Sequence, residues 1–422
     1  NVSNVFYMQT LFRGASAFNQ PLNGWDVSRV LKMEQMFLGA SVFNQPLDNW
    51  DVSNVLKMQQ MFLGASVFNQ DLNSWNNRVS NVTDMSQMFQ GATNFNGIIS
   101  GWDTSSVTRM NGMFYEASTF NQPLDNWDVS NVLKMQQMFL GASVFNQDLN
   151  SWNNRVSNVT DMSQMFQGAT NFNGIISGWD TSSVTNMAGM FNGANIFNQP
   201  LDSWDVSNVE NMNFTFANAT DFNQPLNNWD TSSVEEMERM FLNAREFNQD
   251  ISSWDVDIVT TMKEMFRGAR KFNQDISSWD TSSVETMANM FNDARKFNRH
   301  LNSWNVSSVT NMWGMFFGAS DFNQPLNFWT VSNVTTLKET FKNAVIFNQD
   351  LSNWDTSSVV YMNGTFQNTA FNNGETSGVS NTLQWDTSSV TRMESLFESA
   401  TVFNGNISDW VVSNVTNMNR MF

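Results

Sequence analysis

The residues best placed for chemistry are aspartates that directly follow a regular series of tryptophans. Eleven of the sixteen tryptophans in that series are followed by Asp, as at Asp205, Asp230, Asp255 and Asp280. A serine usually follows two residues later, which is typical of an Asx-turn in which the carboxylate accepts backbone N–H groups. The alternative is a carboxylate column that binds Ca²⁺, because like charges about 5 Å apart repel each other unless neutralised. The turns are favoured because five residues interrupt the column: Asn76, Asn153, Asn305, Thr330 and Val411.

A cluster of cationic side chains is the second candidate site, in a chain whose net charge is −18. Its members are Arg245, Arg270, Lys271, Arg295, Lys296 and Arg299, with His300 beside them. Three of the arginines are 25 residues apart, so they are expected to stack in register. The cluster could bind an anionic polysaccharide or the acidic face of a neighbouring subunit. The plainer interpretation is a solvated face that is balanced locally by Glu246, Asp250 and Asp275.

No catalytic, cofactor-binding or metal site is predicted, because the residue types that such sites need are missing or isolated. His300 is the only histidine and there is no cysteine, so a Ser-His-Asp triad, a zinc site or a Cys nucleophile cannot be assembled. No G-x-G-x-x-G or phosphate-binding loop occurs. Carboxylate pairs of the glycosidase kind would have to arise by chance on a periodic surface.

N-glycosylation sequons are the remaining candidate modification sites. One lies at Asn1 and the others at Asn81, Asn158, Asn213, Asn218, Asn305, Asn333, Asn363, Asn406 and Asn414. A chain so rich in Asn, Ser and Thr contains about this many by chance. Their number therefore carries no information, and exposure and host would decide whether any of them bears sugar.

The tryptophan spacing reveals the internal repeat that positions all these residues. The interval is 25 residues almost throughout, with 27 twice and 31 once. The unit reads F-N-Q-x-L-x-x-W-D-x-S-x-V-x-x-M-x-x-M-F-x-x-A-x-x, as in residues 247–271. Residues 43–108 and 120–185 are identical, so a block of three units has been copied whole. Such copying is tolerated in solenoids, because each coil touches only its neighbours.

Each unit predicts two elements. Val107, Met110, Met113, Phe114, Ala117 and Phe120 fall on one apolar arc at 100° per residue, which predicts a helix or helical turn. The F-N-Q-x-L-x-x-W segment predicts a short strand, and stacked coils would pair these strands in parallel, about 4.8 Å apart. Leu, Trp, Val, both Met, both Phe and Ala of each unit are predicted to fill the interior. The fold class is therefore α/β, a solenoid of about 16–17 coils in the leucine-rich-repeat range.

The domain prediction is one continuous repeat solenoid over residues 1–422. Both ends fall inside a repeat and neither carries a polar cap, so we expect the chain to be a segment of a longer one. Three departures from the period predict surface loops, at 76–78, 153–155 and 373–378.

The repeat resembles a known family. F-N-Q-D-I-S-S-W-D-V-D-I-V-T-T-M-K-E-M-F-R-G-A, residues 247–269, is similar to the repeat of BspA-type leucine-rich-repeat surface proteins, also described as a Mycoplasma-type domain of unknown function. The resemblance covers essentially the whole chain. It implies a right-handed solenoid that is usually surface-exposed and has no agreed enzymatic activity. Members often carry Cys where this chain has the Ala after Met-Phe, so a thiol ladder is absent here.

These observations predict a non-enzymatic extracellular or cell-surface structural protein that builds a fibre by self-association. The alternative is an adhesin that recognises a protein or glycan through a solenoid face, and a third hypothesis is an intracellular scaffold. The acidic charge argues against nucleic-acid partners, which need a cationic surface. No apolar run is long enough to cross a membrane. No cofactor is predicted.

Overall fold

The computed structural model describes residues 2–375 and 382–422. Its contacts divide the chain into two units, Asn1–Val209 and Glu210–Phe422. Within each unit, equivalent residues of successive coils form parallel β-bridges, such as Lys32 with Lys57 and Thr261 with Thr286. The predicted repeat solenoid is therefore confirmed within each unit. That one uninterrupted solenoid covers residues 1–422 remains a prediction.

The helical and strand content differs from the prediction. Within the described ranges, the helices are two short 3₁₀ helices, Asn73–Val79 and Asn150–Val156. Among the described residues, parallel pairing is limited to one residue in nearly every coil, just before the first Met of the repeat, and one further bridge joins Thr382 and Asn406. In the described coils no continuous strand forms over F-N-Q-x-L-x-x-W, because asparagine side chains take the place of most of a backbone ladder there.

The helical turn predicted from Val107 to Phe120 is also wrong, since a run of β-turns takes its place. The N–H groups of Met113 and Tyr115 donate to the carbonyls three residues earlier, at 3.1 and 3.2 Å. The N–H of Gly112 instead donates to Gln136 of the next coil, at 2.9 Å. Turns that follow one another every two to three residues place inward side chains at i and i+3. They therefore produce nearly the same apolar pattern as a helix.

Positive φ angles explain why no helix forms in this stretch. The third residue of two turns in each coil lies in the left-handed region, as Gly112 (φ 61°) and Glu116 (φ 55°) do. A right-handed helix cannot contain such residues, and a non-glycine residue there costs about 1–2 kcal/mol. The cost is offset by hydrogen bonds to the next coil, such as Glu116 N–H to Leu140 O at 2.6 Å.

The core consists of aromatic columns that run from coil to coil. Phe266 stacks on Phe272 of its own coil at 4.0 Å between ring centroids and on Phe291 of the next at 5.7 Å. Trp279 stacks on Trp304 at 6.4 Å and donates its indole N–H to the carbonyl of Ile251 at 3.1 Å. The predicted interior positions are buried in nearly every described coil, so this prediction is confirmed.

Candidate functional site

The asparagine of each Phe-Asn pair forms a ladder along the solenoid. Asn248 Oδ1 accepts the backbone N–H of Asn273 at 2.8 Å and the Gln274 side-chain amide at 3.1 Å. Asn223 Oδ1 likewise accepts the N–H of Asn248 at 2.9 Å. These amides satisfy main-chain groups that the missing strand would have paired. The row is therefore structural.

The aspartates after tryptophan form the predicted Asx-turns. The N–H of Ser232 donates to Asp230 at 3.1 Å, and that of Ser282 donates to Asp280 at 2.9 Å. In both turns the serine hydroxyl and then its N–H stabilise the carboxylate, which lowers the pKa of Asp230 and Asp280. Among the described residues, no group of three or more His, Cys, Asp or Glu side chains could hold a metal ion.

These turns predict loss of stability in acid. A folded-state pKa below the unfolded value of about 4 gives stability that is present above that pH and lost as pH falls through the folded pKa. We expect the thermal midpoint to be nearly constant from about pH 7 to 5 and to fall below about pH 4. Asp355 makes the same turn with Ser357, which lowers its pKa in the same way. Changing Asp230, Asp280 and Asp355 together to Asn should flatten that fall, because Asn305 already makes the same bond to Ser307 N at 3.1 Å. An unchanged pH profile in the triple variant would assign the acid loss to other carboxylates.

The predicted cationic cluster is largely paired with acidic groups. Arg270 and Arg295 both contact Asp293, at 3.1 and 2.7 Å, and Lys296 contacts Asp321 at 3.0 Å. Lys271 pairs with Glu246. Arg299 donates to the carbonyl of Asn273 at 2.7 Å. This pairing favours the interpretation as a balanced, solvated face, although Asp293 and Asp321 contribute beyond the acids that the sequence suggested.

A second charged cluster was missed by sequence reasoning. Arg239 binds Glu264 through two hydrogen bonds of 3.0 Å, and Arg267 adds a third at 3.1 Å. Burial alone would raise the pKa of Glu264, but the two arginines outweigh it and hold that pKa low. The sequence feature that could have indicated this cluster is a pair of opposite charges 25 residues apart, Arg239 and Glu264. Every charge has a partner, so this cluster acts as a brace between coils.

The sequons occupy several environments. Four equivalent ones, Asn81, Asn158, Asn333 and Asn414, are exposed, and each donates its side-chain amide to a serine carbonyl of the preceding coil at 2.7–2.8 Å. Asn305 and Asn406 are also exposed, whereas Asn213, Asn218 and Asn363 are half-buried. Asn1 lies outside the described residues. Glycosylation stays a prediction.

The predicted insertion loops are placed in part. Residues 76–78 and 153–155 are exposed, as predicted, and lie in the two 3₁₀ segments, which are kinked by non-helical backbone angles at Asn76 (φ 32°) and Asn153 (φ 34°). Arg78 donates from there to the carbonyl of Trp50 at 3.0 Å, which ties the insertion to the preceding coil. Residues 376–378 of the third predicted loop lie outside the described residues.

Two similar clefts, one in each unit, lie at the same part of the coil surface, here called the bridge face. It consists of the β-bridge residue of each coil and the residue two positions later. The first cleft, about 360 Å³, is lined by Ser86, Arg109, Asn111, Lys134 and Gln136. The second cleft, about 390 Å³, is lined by Thr336, Lys338, Tyr361, Asn363 and Arg392. Each cleft crosses three coils, and in each the central asparagine lies in a Met-Asn-Gly sequence. Sequence reasoning missed both.

Sequence comparison identifies one family along the chain. The family model described as "Mycoplasma protein of unknown function, DUF285" matches six stretches, residues 1–79, 76–156, 154–246, 225–316, 298–381 and 369–422. This agrees with the family to which the repeat was likened. No curated protein matches the chain.

Solved structures give weak similarities. A leucine rich cell surface protein from Faecalibacterium prausnitzii A2-165 is 13% identical, with 70% of this chain and 81% of that chain covered and a TM-score of 0.37. An internalin from Listeria monocytogenes is 10% identical, with 78% and 81% covered and a TM-score of 0.18. At these values the similarities say nothing of ligands. In the described part of the chain, no helix has the length and apolar character to cross a membrane.

Proposed function

Because this chain belongs over its whole length to the family described as Mycoplasma protein of unknown function, DUF285, we propose that it is a non-enzymatic structural repeat protein of the cell surface or extracellular space. The exterior location is supported by the resemblance of the repeat to BspA-type surface proteins. The lone histidine and the absence of cysteine support a role without catalysis.

One observation carries the proposal: each coil uses the same groups to bind its neighbours. In the coil of Trp279, the indole donates to Ile251 O at 3.1 Å and Asn273 N donates to Asn248 Oδ1 at 2.8 Å, both one coil back. The same two contacts recur in most described coils. A coil is thus an exchangeable unit, which suits a protein whose function is to extend a scaffold. The same contacts made between two chains would support a fibre.

Removal of one coil tests this proposal. Deleting residues 43–67 brings Gln35 opposite Gln87 and Gly39 opposite Gly91, which preserves every column. We expect a folded protein with a thermal midpoint within a few degrees of the parent, because a single coil adds a similar nearest-neighbour term anywhere. The matched control deletes residues 43–55, half a coil, and should unfold. Circular dichroism and gel filtration measure both. Equal damage from the two deletions would contradict the proposal.

Fibre building and location need their own measurements. Electron microscopy of undigested native material should show this chain within long regular fibres. Protease treatment of intact cells should remove it. Separate short rods would contradict fibre building, although they would be compatible with the coil structure.

A second candidate function is recognition of a glycan or protein through a solenoid face. The two clefts of the bridge face favour it, because convergent polar groups in a concavity are typical of binding sites.

A further inference from the structure

The two clefts share most of their chemical groups although they lie in different units. Each holds two cationic side chains, Arg109 and Lys134 in the first cleft and Lys338 and Arg392 in the second. Each also has a hydroxyl at one end, from Ser86 or Thr336, and an asparagine amide at its centre. The asparagine and one cation, Lys134 or Arg392, stand at equivalent positions of their coils, whereas the second cation and the hydroxyl do not. The shared groups argue for one class of ligand.

The cations of the first cleft are less engaged in ion pairs than those of the predicted cationic cluster. Arg109 has a 65% exposed side chain and approaches Asp84 only to 3.8 Å. Lys134 takes part in no ion pair among the described residues. Charge in the first cleft is therefore available to a ligand, whereas Arg270, Arg295 and Lys296 of the 245–299 cluster form ion pairs of 2.7–3.1 Å.

The second cleft adds an aromatic surface. Tyr361 lies at the centre of this cleft and is 45% exposed. Lys338 lies over the ring of Trp313 at 4.9 Å, which fixes its ammonium group at one side of the cleft. Arg392 is 57% exposed and contacts Glu394 at 3.2 Å. An exposed ring among hydrogen-bonding groups suits a ligand with both an apolar face and hydroxyl groups.

We infer that the clefts of the bridge face bind acidic oligosaccharides, with sugar carboxylate or sulfate groups on the cations and sugar hydroxyls on the asparagine and the Ser or Thr. The inference rests on the second candidate function, recognition. Three coils at about 4.8 Å each give a length of about 10 Å between outer coils, which fits two to three sugar units. A peptide strand would need an open sheet edge.

Calorimetry on the full chain tests the inference, with oligogalacturonate as the probe and its methyl ester as the neutral counterpart. We expect saturable binding of the acid only, weakening as salt rises. The variant Arg109→Gln/Lys134→Gln and the variant Lys338→Gln/Arg392→Gln should each lose one of two sites. A residual site in either double variant should bind with unchanged affinity.

The control Arg270→Gln/Lys296→Gln removes the same charge from the paired cluster and should bind like the parent. Equal loss in this control would show a net-charge effect and overturn the inference, as would binding of polyglutamate as tight as that of the acidic sugar. Absence of binding would also overturn it. Circular dichroism of each variant separates these outcomes from misfolding, and the structural function stands or falls on the coil deletions instead.

Discussion

Replacing Trp254 with alanine is expected to lower the free energy of unfolding by about 3–5 kcal/mol. The side chain is 3% exposed, and its ring stacks on Trp229 at 6.3 Å and on Phe241 at 6.1 Å. Its indole also donates to Leu226 O at 3.0 Å, so truncation leaves a cavity and an unpaired carbonyl between coils. Urea titration followed by circular dichroism measures the loss as an earlier midpoint.

Trp313 provides the matched control for this substitution. It is the one tryptophan outside the series and is 41% exposed, with its indole 3.2 Å from Glu339. Trp313→Ala should cost less than about 1 kcal/mol, because surface changes are usually small. Equal losses at Trp254 and Trp313 would mean that the aromatic column is not the main support of the solenoid.

The second large effect is expected at Gly97, where a single added methyl group has no room. A Cβ at this position would lie 2.2 Å from the carbonyl oxygen of Gln70 and 3.0 Å from a ring carbon of Phe95. The backbone approaches so closely because Leu72 N–H donates to Ile98 O at 3.1 Å. Gly97→Ala should break this contact and cost at least about 2 kcal/mol.

Gly24→Ala is the control, since nothing lies within 4 Å of a Cβ there. Gly174→Ala is a replicate, because the copied block places Gln147 O at the same 2.2 Å. The thermal midpoints of the Gly97→Ala and Gly174→Ala variants should fall by similar amounts, and that of the Gly24→Ala variant should not change. A Gly97 variant as stable as the Gly24 variant would show that the coil relaxes around the methyl at little cost.

The repeat and its interior were predictable from the sequence, because Trp, Phe and Met recur at fixed offsets and burial follows directly. The succession of β-turns that replaces the predicted helical turn was not predictable from the sequence. An apolar spacing of three, as in Val107, Met110 and Met113, is common to a helix and to successive turns, and only backbone φ distinguishes them. Glu116 and Gln137 at positive φ carry no signal of their own, since neither residue type favours that region.

The candidate sites were predictable only where the chemistry is local. Asp280 and Ser282 are two residues apart, so the Asx-turn could be read from the sequence. The cationic cluster was visible as a register of arginines, but the pairing of Arg270 with Asp293 runs from one coil to the next and was not. The clefts depend on side chains of three coils at once. Only the Met-Asn-Gly sequences at Asn111 and Asn363 could have pointed to them.

The direction of the hydrogen bonds between coils bears on how the chain folds as it is synthesised. Trp279 and Asn273 donate backward, to Ile251 and Asn248, so a new coil can dock at once on the one before it. Met262 N–H donates forward, to Thr286 O, and must wait for the coil that follows. During synthesis, only the most recently docked coil would therefore have unpaired N–H groups. Unpaired backbone edges promote aggregation. Folding coil by coil limits the unpaired edge to the last coil formed.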